Sequence, residues 1–351
     1  MNEAPQKTTL STQDYADLCR QAFSAFGVDG DSIVMVKDSL LWCDLHGITS
    51  HGLNMLPTYL NRLAHGGINP QGQPCMERQS GALVRMDGDG GFGQVAGRMA
   101  ADLAIERARQ HGIGLVSVRN TNHGGALGYF TDHIASRGLI GFMAHNSNPT
   151  VAPFGGSAPA IGTNPLSFAF PGRNFNVLVD LATSATAKGK IYELARHSDT
   201  IPEGLALNND GEPTTSAAEA IKGILLPLGG PKGYALAVAV EMLTGILSGG
   251  SYNYEIGSLH HEPGEPQGIS MLILAVNLVE LMDRQDYEER LEHFTGKLKE
   301  TRKAKGVSEI LMPGEREARL AAVRREEGIP LPQSLVDEIR RITDERPAKF
   351  N

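Results

Sequence analysis

Apolar positions along this chain alternate between a helical and an extended rhythm. Thr12 to Phe26 predicts a helix. A second helix is capped by Asp31 or Ser32, carries a stripe of Ile33, Val36 and Leu40, and ends at Gly47. The stretch from Ser50 to Gly67 predicts a short connector and a further helix. Residues 70–86 are turn-rich and lead into a short strand, "ALVRM". From Phe92 to His111, Val95, Met99 and Leu103 recur four apart, which predicts a helix stopped by Gly112. "IGLVSVRN" predicts a strand, and Leu127, Phe130 and Ile134 then share one helix face. "LIGFMAHN", "LSFAF", "NVLVD" and the buried run "ISMLILAVNL" predict strands. Residues 195–224 read as mostly loop. A strong helix is predicted from about Pro231 to Ser248, with Leu236, Val240, Leu243 and Leu247 on one stripe. The last quarter is helical and charged, the pattern of a solvated face.

At 351 residues the chain is too long for one small core, so two or three subdomains are expected. Many of the 41 glycines fall in loops between apolar runs, as in mixed α and β enzymes. The net charge of −8, without a basic cluster, argues against nucleic acid or an anionic membrane as partner. No apolar run reaches the roughly 18 residues of a membrane span. The N-terminal stretch is polar and lacks a signal-peptide core. Cys19, Cys43 and Cys75 form no CxxC and read as free thiols, so a cytoplasmic location is expected.

"MDGDGGFGQVAG" contains GxGxxG at Gly88, Gly90 and Gly93. A strand precedes it and a helix follows, as a Rossmann phosphate loop requires. The next strand, however, ends in Arg119 and Asn120 instead of the acid that would hold a ribose. The alternative is a glycine-rich helix start in which Gly91 and Gly93 relieve crowding.

Five other stretches carry chemistry. In "GITSHGLNM", His51 lies just past a helix end between Ser50 and Gly52, where an imidazole can exchange a proton with a substrate oxygen and Ser50 can orient it. In "VRNTNHGGALGYF", His123 sits between a strand and a helix. "NSNPTVAPFGGSAPAIGTNPLSFAFPG" is a long rigid loop of the kind that lines sites. "VLVDLATSATAKGKI" places Asp180 at a strand tip with Thr183 and Ser184 behind it. "LPLGGPKGYALAVAVEM" starts a helix at Pro231, where backbone N–H groups and Lys232 favour a phosphate. No set of residues has metal-ligand spacing; His46 and His51, and the pair His260-His261, lack partners. GxSxG and the Walker A loop are absent.

Taken together, SHG, GTNP, "VLVDLATS" and GPKGY make the chain resemble, from about residue 10 to 345, the malate/L-lactate dehydrogenase family that is unrelated to the Rossmann lactate dehydrogenases. Its relatives include ureidoglycolate and sulfolactate dehydrogenases, diketogulonate reductase and piperideine-2-carboxylate reductase. The resemblance implies an α+β fold, a mixed, largely antiparallel sheet with helices, and a non-Rossmann dinucleotide site. It also implies a homodimer, chain ends that pack together, and a small-molecule substrate. Approximate divisions are a helical dimerisation region (1–70 and 312–351), a substrate-side region (71–125) and a dinucleotide-binding domain (126–311). Carried over by position, His51 is the proton donor or acceptor, His123 a second catalytic His, and Ser50 and Asp180 accompany them. Ser147, Asp180, Leu181, Ala182, Lys232, Gly233, Pro313, Gly314 and Glu315 match cofactor contacts, and Asn164 a site-lining turn. By the same token the GxGxxG loop matches a helix start outside the cofactor domain.

One position departs. Many members carry Arg four residues after the SHG histidine, where it clamps the substrate carboxylate; here that residue is Met55. Arg62 or Arg119 would have to serve instead. The expected activity is hydride transfer between NAD or NADP, with a preference for NAD, and a small 2-hydroxy or 2-oxo acid. Cyclic imino acid reduction, which suits an apolar pocket, and dinucleotide binding without catalysis are the alternatives. The loop "RHSDT", Arg196 to Thr200, is where the two cofactors would be told apart.

Overall fold

The computed structural model describes residues 6–195 and 198–346, so Arg196 and His197 of the "RHSDT" loop lie outside the described residues. The chain opens with β1 (Lys7–Leu10), α1 (Thr12–Ala25), α2 (Gly30–Leu45) and α3 (Leu56–His65). There follow β2 (Cys75–Ser80), β3 (Leu83–Asp87), α4 (Gly93–His111), β4 (Ile113–Thr121), α5 (Gly128–Ala135), β5 (Ile140–His145), β6 (Leu166–Phe170) and β7 (Val177–Leu181). A subsidiary unit holds α6 (Lys188–Ala195), β8 (Ala206–Leu207), β9 (Pro213–Thr214), α7 (Ala217–Lys222) and β10 (Ile224–Leu225). The chain closes with α8 (Pro231–Glu241), β11 (Ile269–Val276), α9 (Arg284–Lys299), α10 (Glu315–Glu327), β12 (Ile329–Pro332) and α11 (Gln333–Asp344).

A seven-stranded sheet in the order β2-β3-β4-β11-β5-β6-β7 forms the backbone of the molecule. Only β3 and β4 run parallel; every other neighbouring pair in it is antiparallel. The sheet is therefore mixed and largely antiparallel, as expected. α4 crosses between the two parallel strands and lays Ala96, Ala100, Ala104 and Ala108 on the core, small residues that let helix and sheet approach closely. A second core joins α1, α2 and α3 to Ala321, Ile329, Leu335, Val336 and Ile339 near the other end of the chain. β1 pairs antiparallel with β12, so the two chain ends do pack together.

Several boundaries differ from the pattern. The cap of α2 is Asp29, whose side chain accepts the Ser32 N–H at 2.9 Å, rather than Asp31 or Ser32. β2 was hidden because all six of its residues are exposed at a sheet edge. The 195–224 stretch contains β8, β9, α7 and β10, too short to carry a period. The predicted stripe is split between α8 and the helical turns after it: Leu236, Leu243 and Leu247 are exposed, while the fourth member, Val240, meets the protein with Ala237, Thr244, Gly245 and Ser248.

Candidate active site

His51 lies in a single turn of 3-10 helix, Thr49–His51, just beyond α2. Asp44, in the last turn of α2, holds the segment. Its buried carboxylate accepts the Leu53 N–H at 2.7 Å and the Tyr15 hydroxyl at 2.7 Å. Gly52 rests against that carboxylate so closely that a Cβ would collide with it. Burial outweighs the two donors and pushes the Asp44 pKa up to about 6. Ser50 Oγ lies 2.9 Å from His51 Nδ1. Burial lowers the His51 pKa, which leaves the imidazole neutral at pH 7.

His123 follows the end of β4 and stacks on His51, with ring centroids 5.6 Å apart and planes at 29°. Its Nδ1 lies 2.8 Å from the Tyr59 hydroxyl, which itself accepts the Gln94 amide N–H at 2.7 Å. If Gln94 donates to that hydroxyl and the Tyr59 proton goes to Nδ1, the His123 proton sits on Nε2. The His123 backbone N–H donates to Gln267 Oε1 at 3.0 Å. Burial, then the charges of His51, His145 and His260, hold the His123 pKa well below its ordinary value. Behind it lies His145, whose pKa falls to about 4 through burial. Neither ring nitrogen of His145 meets a hydrogen-bond partner of good geometry among the described residues.

The glycine loop turns out to serve His123. Gly88 N–H donates to the Arg119 carbonyl at 2.8 Å and Gly90 N–H to the Asn120 carbonyl at 2.9 Å. The Asn122 amide donates back to the Gly90 and Gly91 carbonyls at 2.8 and 3.0 Å. A Cβ at Gly93 would collide with the Asn122 carbonyl and crowd the His123 backbone. These donors, which a phosphate would need, are engaged by the strand end that carries His123. The spacing is that of a phosphate loop, but the loop is closed.

A cavity of about 1420 Å³ opens over the imidazole pair. His51, His123, Ser50 and Met55 line it, with Lys188, Lys190 and Lys222 from the subsidiary unit and the adjacent His260 and His261. Lys188 Nζ donates to the Ile221 and Gly223 carbonyls at 3.0 and 2.7 Å, and burial lowers its pKa.

Of the expected catalytic residues, Asp180 does not line this cavity, and neither do the three substrate candidates or any of the matched cofactor positions. Arg62 is fully buried and donates to the Ser258 and Glu265 carbonyls at 3.0 and 2.5 Å. Arg119 pairs with Glu77 at 2.6 Å and Asp87 at 3.4 Å. Asn164 is buried; it accepts the Ser147 N–H at 3.1 Å and donates to the Ala237 carbonyl and Glu241. It shapes the loop that carries Ser147, whose Oγ lies 3.2 Å from Thr163 Oγ1. Asp180, on edge strand β7, accepts the Gly128 N–H at 2.7 Å at the start of α5. The protein mass around it raises its pKa to about 6 although its side chain still reaches solvent. Leu181 pairs with Leu166 in the sheet, and Ala182 follows it. Pro313 extends the same edge by accepting the Leu178 N–H at 3.1 Å. Gly314 presses on Leu178 with φ 84°. Glu315 is closed off by Lys299, Arg319 and the Met312 N–H. At the start of α8, Gly233 N–H is bonded to the Leu228 carbonyl at 2.8 Å, which leaves exposed Lys232 as the group open to an anion. Asp44, Tyr59 and Gln94 escaped sequence reasoning because their partners are remote in the chain, and His145 because only the fold brings its ring to within 6.5 Å of His123; His260-His261 was visible only as a pair.

Comparison with known proteins decides the family. The model of the malate/L-lactate dehydrogenase family matches residues 10–340. The chain belongs to the malate/L-lactate dehydrogenase family. Among relatives in this family, an L-sulfolactate dehydrogenase of Methanocaldococcus jannaschii is 36% identical over 96% of each chain. The solved sulfolactate dehydrogenase from that organism superposes with a TM-score of 0.90 over 96% of this chain and 97% of its own. An L-lactate dehydrogenase of Cupriavidus necator is 39% identical over 88% of this chain and 90% of its own. The solved delta1-piperideine-2-carboxylate reductase of Pseudomonas syringae, 29% identical, has a TM-score of 0.86 over 95% of this chain and 99% of its own.

Proposed function

We propose that this chain is an NAD(P)-dependent dehydrogenase that oxidises a small 2-hydroxy acid and reduces the matching 2-oxo acid. The observation that carries the reading is the stacked His51–His123 pair opening into one large cavity. That volume exceeds the roughly 300–1,000 Å³ of ordinary small-molecule sites and leaves room beside the imidazole pair for a small acid and a nicotinamide ring, while the matched cofactor positions lie outside its lining. Asp180, with a single bonded oxygen at the edge of β7, fits as a further acceptor for the cofactor, beside Leu181, Ala182 and Ser147. A bound nicotinamide dinucleotide supplies or accepts the hydride.

The protein's own part is the proton. With Nδ1 beside Ser50, His51 Nε2 is the atom that takes the proton from the C2 hydroxyl in oxidation and returns it to the C2 oxygen in reduction. His123, protonated on Nε2, donates a hydrogen bond that polarises the same oxygen. Exposed Lys232 is the proposed phosphate contact. A homodimer completes the reading. The outer face of α8 and the helical turns after it leave Leu236, Met242, Leu243, Ile246 and Leu247 exposed together, an apolar face for a second copy to cover.

A panel tests this: lactate and malate with NAD and NADP, and pyruvate, oxaloacetate and a cyclic imino acid with NADH and NADPH, followed by nicotinamide absorbance. Turnover of at least one acid pair is expected. Preference for the cyclic imine would favour the second reading, which the apolar Met55 in the cavity supports. Cofactor binding without turnover of anything would overturn the assignment.

A further inference from the structure

A 2-oxo acid brings a carboxylate into the cavity, and none of the arginines expected to meet it does so. Arg62 and Arg119 are engaged elsewhere, and the residue beside the catalytic turn is the thioether of Met55. The loop from Ser258 to Glu265 offers the missing donors. We propose that His260 and His261 bind the C1 carboxylate of the substrate, with buried Arg62 as the positioning residue that mounts their loop; this rests on the dehydrogenase reading above.

Both imidazoles line the cavity that holds His51 and His123. Neither ring hydrogen-bonds to a described residue, so their N–H groups are open to a ligand. Their backbones are held: the His260 and His261 N–H groups both donate to Ser258 Oγ, at 3.3 and 3.1 Å. Arg62 grips both ends of the loop through the Ser258 and Glu265 carbonyls. The same guanidinium lies 3.4 Å from Asn122 Oδ1, next to His123. Gly67 removes the side chain that would strike the Pro263 carbonyl as the loop passes the end of α3. One buried cation thus sets the loop and the His123 strand end against each other.

The test compares the wild type with the His260→Ala/His261→Ala and His260→Gln/His261→Gln double variants. Steady-state KM is measured for pyruvate and oxaloacetate, and binding of oxamate by calorimetry in the presence of NADH. The alanine pair is expected to raise both KM values and weaken oxamate about ten- to a hundredfold, the range for hydrogen bonds to a charged group. The glutamine pair, which keeps an N–H donor at each position, recovers most of that loss. NADH affinity, read from nicotinamide fluorescence, stays at the wild-type value. Unchanged oxamate binding in a folded alanine variant overturns the inference while leaving the dehydrogenase reading intact. An effect on oxaloacetate alone overturns the C1 assignment. Oxamate binding that depends on the two histidines in a protein without turnover keeps this inference and removes the dehydrogenase reading.

Discussion

His51 shows how much of a residue's chemistry is set by neighbours it does not touch in sequence. The imidazole was legible from SHG, and Ser50 beside it was legible too. Asp44, which fixes the turn, was not, since Gly52 and Leu53 meet it only once the chain has folded back. His51→Ala is expected to lower kcat by about 10²–10⁴, the usual worth of a placed general acid or base, with an unchanged circular dichroism spectrum. Because burial lowers the His51 pKa, the oxidation profile should have its midpoint below pH 6.5, whereas reduction, which needs the protonated ring, gains as pH falls. Rate profiles in both directions check this, and an oxidation profile still rising through pH 7.5 would contradict it. His145 makes a separate prediction about stability. It takes up its proton near pH 4 when folded and near 6.5 when unfolded. Above 6.5 it is neutral in both states; as pH falls towards 4 only the unfolded chain is protonated, and about 3 kcal/mol of stability is lost. Urea unfolding at pH 7 and 4.5 should show a smaller acid loss in His145→Met than in the wild type.

Elements came from the sequence where their period was long and their partner was the core. Helices α1, α2, α4 and α5 and the inner strands β4, β5 and β11 follow the apolar pattern closely. Edge and very short strands, β1, β2 and β8 to β10, did not, because a strand with one solvated face and few residues has no period to read. The glycine loop before α4 carries the more general lesson. Strand, GxGxxG, helix and parallel strand are all present, and the motif still serves a different purpose, because its backbone donors bind β4's end instead of a ligand. Gly93→Ala is therefore expected to push the Asn122–His123 backbone away, costing roughly 1–3 kcal/mol of stability as overpacking does. The same variant should reduce kcat more than it weakens cofactor binding, which thermal melting and steady-state kinetics check together; loss of NADH affinity with kcat intact would return the loop to phosphate binding.

At the scale of the whole molecule, the outward face of α8 asks for a partner. Leu243→Glu/Leu247→Glu should convert the proposed dimer to a monomer in light scattering after gel filtration, since two charges placed in an apolar interface without partners disfavour it strongly. A wild-type monomer at micromolar concentration would refute the interface. By itself the sequence determined most of the helices, the inner strands, the catalytic candidate His51 and the likeness to a dehydrogenase family, because these depend on local period and on short runs of adjacent residues; the α+β class followed only from that likeness. Only tertiary structure decided which glycines serve a strand end, that Arg62 is a strut rather than a clamp, that His123 is keyed by Tyr59 and Gln94, and which way α8 points. Each of those is a question of which remote group comes within about 3 Å, the reach of a hydrogen bond, and spacing along the chain does not encode that distance.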